Sequence, residues 1–191
     1  MRCVQRGVAP RAAGVSLIEI LVSLTILALL VGLAVPAFSH QRRDWAITTA
    51  TNEWMALLQR AKLESITRGR PVVMCTANAV PECTSSQAWT AGHLTFIDEN
   101  RSGSLDGADT ILHRELQPPR LLRIRGNGPV SRYVNFHSDG VPRLFSGAFQ
   151  AGTFTLCLAG ETDPRYFRQL VLSAPGRLRV DRPTGVQPVC Q

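Results

Sequence analysis

The densest group of residues able to do chemistry lies near the C-terminus: Gly176-Arg177-Leu178-Arg179, with Arg182 just after. Guanidinium groups are planar, permanently charged forks that suit phosphate and carboxylate oxygens. Residues two apart on a strand share a face, so Arg177 and Arg179 project together. Pro175-Gly176 supplies a turn to present them. Arg165 and Arg168 lie on the preceding segment and come close if the two segments form a hairpin. The chemistry implied is anion binding. The plain alternative is a solvated hairpin whose arginines keep the chain soluble.

Other constellations are weaker. Asp98, Asn100 and Ser102 alternate before Gly103, and Asp106 and Asp109 follow at offsets like those of a calcium loop. The closing position is Asp rather than a bidentate Glu and the flanks read as strands, so a plain loop is expected. His40, His93, His113 and His137 fall at no ligand spacing to one another or to a cysteine pair, and no CxxC occurs. No metal and no cofactor is expected. Ser, His and Asp are present without a nucleophile elbow or an H-E-x-x-H run, so no enzyme is expected. His137-Ser138-Asp139-Gly140 reads as a turn.

The elements that must carry these groups begin with residues 1–14, MRCVQRGVAPRAAG, a short basic leader ending in small residues. From Ile20 to Phe38 no charge occurs. At about 1.5 Å per residue that helix covers close to 30 Å, the thickness of a bilayer's hydrocarbon core. Three arginines before Gly14 bias the N-terminus to the cytoplasm. The small residues precede the apolar run instead of following it, which disfavours an ordinary secretory signal. Glu19 is out of place in a bare anchor, because a carboxylate in a membrane helix is unfavourable unless paired. In an assembly it could pair with the free amine of a neighbouring trimmed chain.

The helix is expected to continue, with Trp45, Trp54, Leu57, Leu58, Ala61 and Ile66 as an apolar stripe and Gly69 and Pro71 as its stop. Eight β runs follow: 72–76, 88–97, 110–116, 121–124, 133–136, 153–158, 169–173 and 177–180. A long helix followed only by strands predicts an α+β layer. The net charge of +7 is concentrated at the C-terminal end, where residues 111–191 hold eleven arginines and five acidic residues. That asymmetry favours an anionic partner. Of five cysteines, Cys3 goes if the leader is removed, and four remain. Four allow three pairings. Cys75–Cys83, which closes a short loop, and Cys157–Cys190, which ties down the C-terminus, are the favoured set.

Gly14-Val15-Ser16-Leu17-Ile18-Glu19 resembles the processing site of type IV prepilins and type II secretion pseudopilins. In that family a prepilin peptidase cuts after the glycine and methylates the new N-terminus, here Val15 where Phe is usual. The carboxylate sits at the fifth position of the mature chain, as Glu19 does. Pro36 falls where pilins carry a helix-kinking proline. The segments LLQRAKLESITRGRPVVMC, HLTFIDENRSGSLDGADTILHR, FTLCL and LVLSAPGRLRV resemble the GspH/FimT family of minor pseudopilins over nearly the whole chain.

The resemblance implies a pilin-like α+β fold, with a long N-terminal transmembrane and amphipathic helix packed on an antiparallel β-sheet domain. It implies a cleaved leader (1–14), a membrane and filament-packing helix (15–38) and a periplasmic globular domain (39–191). The implied location is the inner membrane, single-pass with a cytoplasmic N-terminus, and the cell exterior once the subunit enters a pilus. The implied partners are prepilin peptidase, other pilin or pseudopilin subunits and the inner membrane. DNA-binding FimT proteins carry a GRxR motif near the C-terminus, which GRLR matches. That adds double-stranded DNA, bound without sequence preference for natural transformation, with Arg177, Arg179, Arg182, Arg165 and Arg168 as candidates. The competing implication is a purely structural GspH-like subunit of a type II secretion system.

Overall fold

A computed structural model describes residues 14–78, 80–86, 89–116 and 121–183, leaving aside the side chains of 33–37. The chain divides into two compact units, Met1–Gln41 and Arg42–Gln191. Helix α1, Leu17–Arg68, contributes to both.

In the first unit, Ser16 starts the helix by accepting from the Glu19 and Ile20 N–H groups at 3.1 and 3.2 Å. The hydroxyls of Ser23 and Thr25 donate back to the carbonyls of Glu19 and Val22, so they add no unmet polar group to an apolar helix. Apolar side chains from Leu17 to Val31 are at least half exposed on every side. Among the described residues no helix is long and apolar enough to cross a membrane. The uncharged run includes 33–37, where the backbone is helical, and Pro36 falls among those five.

In the second unit the inner face of α1 is Ile47, Thr51, Trp54, Leu58, Ala61 and Ser65, all nearly inaccessible and spaced by three, four or seven. The expected stripe is partly shifted. Trp45 is 60% exposed and Ile66 48%. Trp45 lies nine residues before Trp54, about 900° at roughly 100° per residue, which is half a turn out of phase. Gly69, at φ +64°, ends the helix in the left-handed conformation that a Cβ disfavours, and Pro71 prevents its resumption.

Among the described residues eight antiparallel strands follow: β1 (Val72–Thr76), β2 (His93–Ile97), β3 (Thr110–Glu115), β4 (Leu122–Gly126), β5 (Tyr133–Phe136), β6 (Gly152–Leu158), β7 (Phe167–Leu172) and β8 (Leu178–Asp181). They make two four-stranded sheets, ordered β3-β2-β1-β5 and β4-β6-β7-β8. The expected run 88–97 is shorter as a strand, because Trp89–Ala91 form a 3-10 turn that buries Trp89. One apolar core joins α1 to both sheets through Val72, Met74, Phe136, Phe154, Leu156 and Leu170. At its centre Trp54, Trp89 and Phe154 meet edge to face, with centroids 5.4 to 5.8 Å apart. The Trp89 indole N–H donates to the Val130 carbonyl at 3.0 Å, so the buried ring leaves no polar atom unmet. β1 is buried on both faces, which explains its continuous apolar run. Its second face packs Val73, Cys75, Leu94 and Phe96 together.

Candidate functional site

The arginine turn is held from within and from below. Ser173 N donates to the Arg177 carbonyl at 3.0 Å, and Gly176 N to the Ser173 carbonyl at 2.8 Å. The Ser173 hydroxyl donates to the Arg177 carbonyl and accepts from its N–H. Gly176 is buried at φ +75°, and a Cβ there would lie 2.7 Å from the Gly140 carbonyl oxygen. Lys62, the chain's sole lysine, reaches from α1 to donate to the Gly176 carbonyl at 2.9 Å. A core helix therefore fixes the turn that precedes Arg177.

The expected hairpin forms. β7 and β8 pair with Val171 opposite Arg179 and Leu172 opposite Leu178. Leu178 packs against the core, so alternation turns Arg177 and Arg179 to the outer face, where both are exposed. Arg179 is paired with Asp181 at 2.7 Å while 71% exposed, and Arg182 is exposed just beyond. Arg165 grips Asp163 through Nε and Nη2 along one guanidinium edge, with contacts of 2.6 to 3.1 Å, and lies over the Tyr166 ring. Arg168 does not join this group. Its side chain is 5% exposed and bound to Asp44 of α1, to Thr48 and to the carbonyls of Arg165 and Phe167. Arg168 shares the core-facing side of β7 with Leu170 and Leu172, so it is an internal clamp between helix and sheet.

Two arginines missed in the sequence lie on the same outer face. Arg125 opposes Thr155, Thr155 opposes Gln169, and Gln169 opposes Asp181. Arg123 and Arg125 are thus on β4, at the far edge of the sheet from Arg179, and both are exposed. At about 4.8 Å per strand the two edges stand roughly 14 Å apart. The alternation in Leu122-Arg123-Ile124-Arg125 was the available signal. It repeats the pattern of Leu178-Arg179-Val180, with apolar residues inward and arginines outward.

At the other end of the chain Gly14 and Val15 are exposed ahead of the helix, and Glu19 stands in its first turn. The helix N-terminus favours that carboxylate.

Residues 50–176 match the family model described as type II transport protein GspH, and residues 10–35 match the prokaryotic N-terminal methylation motif. The chain belongs to the GspH family. Its relatives include a pilin-like protein, PilA1, of Thermus thermophilus, 27% identical over 88% of this chain and 97% of that one. Two crystal structures of the type IV minor pilin FimU of Pseudomonas aeruginosa share the fold. One has a TM-score of 0.55 at 21% identity, covering 76% of this chain and 95% of that one. The other has a TM-score of 0.53 at 22% identity, covering 75% and 99%. The fold is pilin-like, and the chain is a minor pilin or pseudopilin. A leader processed by peptidase and association with other pilin-like subunits come with that family.

The remaining polar groups of this GspH-family chain divide between loop closure and one unexpected cluster. In the acidic loop Asp98, which is buried, accepts from the N–H groups of Ser102 and Gly103, both at 2.9 Å. Asp109 accepts from Glu99 and Asp106, and Asp106 from Asn100 and Ala108. The alternating carboxylates thus fold the loop on its own amides. The cluster is His93, His113 and Glu115, whose spacing in the sequence conceals them. One donor atom from each lies within 4.8 Å of the others. Burial, and then the neighbouring His113, push the His93 imidazole down to about 4. Cys75 and Cys83 form the expected disulfide. Cys157 is buried beside Phe167, and Cys190 lies outside the described residues.

Proposed function

We propose that this protein is a FimT-like minor subunit of a type IV pilus that binds double-stranded DNA for natural transformation. The observation that carries the reading is the exposed Arg177–Arg179 pair, presented by a turn that Lys62 holds from α1. Arg123 and Arg125 continue the basic face across the sheet. Such a face meets phosphates without reading bases, as uptake of arbitrary DNA requires. Arg165 and Arg179 each pair with a neighbouring carboxylate, Asp163 and Asp181, which a phosphate has to displace or share.

The test is binding of random-sequence duplex DNA to the detergent-solubilised chain at about 50 and 200 mM salt, beside Arg177→Ala/Arg179→Ala. Two lost phosphate contacts should flatten the slope of log K against log salt by about 1.8. Unchanged affinity and slope would remove DNA binding through this turn. A structural, non-catalytic pseudopilin of a type II secretion system would then stand, which the match to GspH favours on its own account.

Anchoring and assembly belong to the same proposal. Leu17 to Val31 expose apolar side chains on every side, which water does not tolerate and which lipid or neighbouring helices would cover. In this reading the leader ends at Gly14, the helix spans the inner membrane with its N-terminus cytoplasmic, and the globular unit is periplasmic. Glu19 pairs with the amine at Val15 of an adjacent subunit. Mass spectrometry of membrane-extracted protein should find Val15 at the N-terminus, and an intact leader in cells with active peptidase would defeat the assignment.

A further inference from the structure

We propose that His93, His113 and Glu115 form a binding site for a divalent transition-metal ion of the zinc class. β2 and β3 are antiparallel, with His93 opposite Glu115 and Thr95 opposite His113. That register puts both imidazoles and the carboxylate on one face of the sheet, although twenty residues separate the histidines. The imidazole centroids are 5.4 Å apart with the rings tilted by 35°. The His93 ring stands edge-on to Trp54 at 5.1 Å, which fixes its orientation.

Two further observations point to a ligand. First, His93 is 3% exposed, and Nε2 of both His93 and His113 is buried with no hydrogen-bond partner among the described residues. Buried ring nitrogens are rarely left unmet, because removing them from water without a partner is unfavourable. Second, His93 and Glu115 line an open cleft of about 240 Å³ between α1 and the sheets, so solvent and ions have a route. Trp54, whose Nε1 also lacks a partner among the described residues, lines the same cleft.

The donor set selects the ion. Two imidazoles and a carboxylate suit zinc, copper or nickel, whereas magnesium and calcium prefer oxygen alone. Three protein ligands leave a fourth position for water from the cleft. Among the described residues β3 is an edge strand, paired with β2 on one side. An ion shared by His93, His113 and Glu115 would clip that edge to its neighbour.

The test uses the untagged full chain in detergent, stripped with chelator and then titrated with Zn2+ or Ca2+. Bound metal is read by mass spectrometry, thermal unfolding follows stability, and Co2+ substitution reports imidazole ligation by its visible spectrum. About one equivalent of Zn2+ with a raised Tm, no response to Ca2+, and loss of both effects in His113→Gln are expected. Glu115→Gln gives the same reading if His113→Gln fails to fold, and His137→Gln should behave as the wild type. No zinc uptake by the wild type, or uptake unaltered in folded His113→Gln and Glu115→Gln, would overturn the site.

Discussion

Replacing Asp44 should destabilise the globular unit, whereas replacing Arg168 should leave DNA binding intact. The Arg168 side chain is 5% exposed and its guanidinium meets Asp44, Thr48 and two backbone carbonyls. Asp44→Asn keeps the shape but leaves a buried cation with neutral acceptors only. Breaking a fully buried pair costs about 3–5 kcal/mol. Asp44 is 43% exposed, so water compensates part of the loss and screens the attraction. A loss of about 1–3 kcal/mol follows, or roughly 3–9 °C in Tm for a unit of this size. Urea unfolding followed by circular dichroism measures it. Arg168→Met removes the cation itself, so the half-exposed Asp44 rehydrates and DNA affinity should stay within about twofold of wild type. A change below about 0.5 kcal/mol in Asp44→Asn would refute the clamp. So would a folded Arg168→Met that loses DNA binding as fully as Arg177→Ala/Arg179→Ala.

Gly176→Ala should weaken DNA binding without touching a charge, because its Cβ would meet the Gly140 carbonyl at 2.7 Å and φ is +75°; the expected destabilisation is about 1–3 kcal/mol, and a wild-type Tm would contradict it. Acidification in the presence of chelator should destabilise the unit between pH 6.5 and about 4, where the unfolded His93 takes a proton that the folded one refuses. That contribution is fully present above pH 6.5 and falls with pH by at most about 3 kcal/mol. His113, Glu115 and Glu53 share the cleft wall or the cluster, so His93→Gln, which removes only this titration, should flatten the profile. Cys75→Ser/Cys83→Ser should cost about 2.5 kcal/mol for so short a loop, read by urea unfolding under non-reducing conditions.

What the sequence revealed and concealed follows from what alternation can and cannot encode. The helix, its stop at Gly69 and Pro71, and all eight strands were legible, because each rests on a local pattern of apolar residues and turn formers. Trp45 falls outside the stripe because its three- and four-residue steps sum to half a turn out of phase with Trp54. The burial of Arg168 was within reach: in Phe167-Arg168-Gln169-Leu170-Val171-Leu172 it shares parity with the two leucines, so a core-facing Leu170 makes Arg168 core-facing too. The same parity, applied to Leu178 and Val180, sends Arg177 and Arg179 outward. Local pattern therefore separates the clamp from the exposed pair without any coordinates. The His93–His113–Glu115 cluster is different in kind. Each residue looks ordinary on its own strand, and only the register of β2 against β3 brings the three together. A slip of one residue in that pairing would turn His113 and Glu115 to the opposite face from His93. A site of this sort is specified by the pairing of two strands, so it is as stable as that pairing and no more, and an ion held there would strengthen the edge on which it depends.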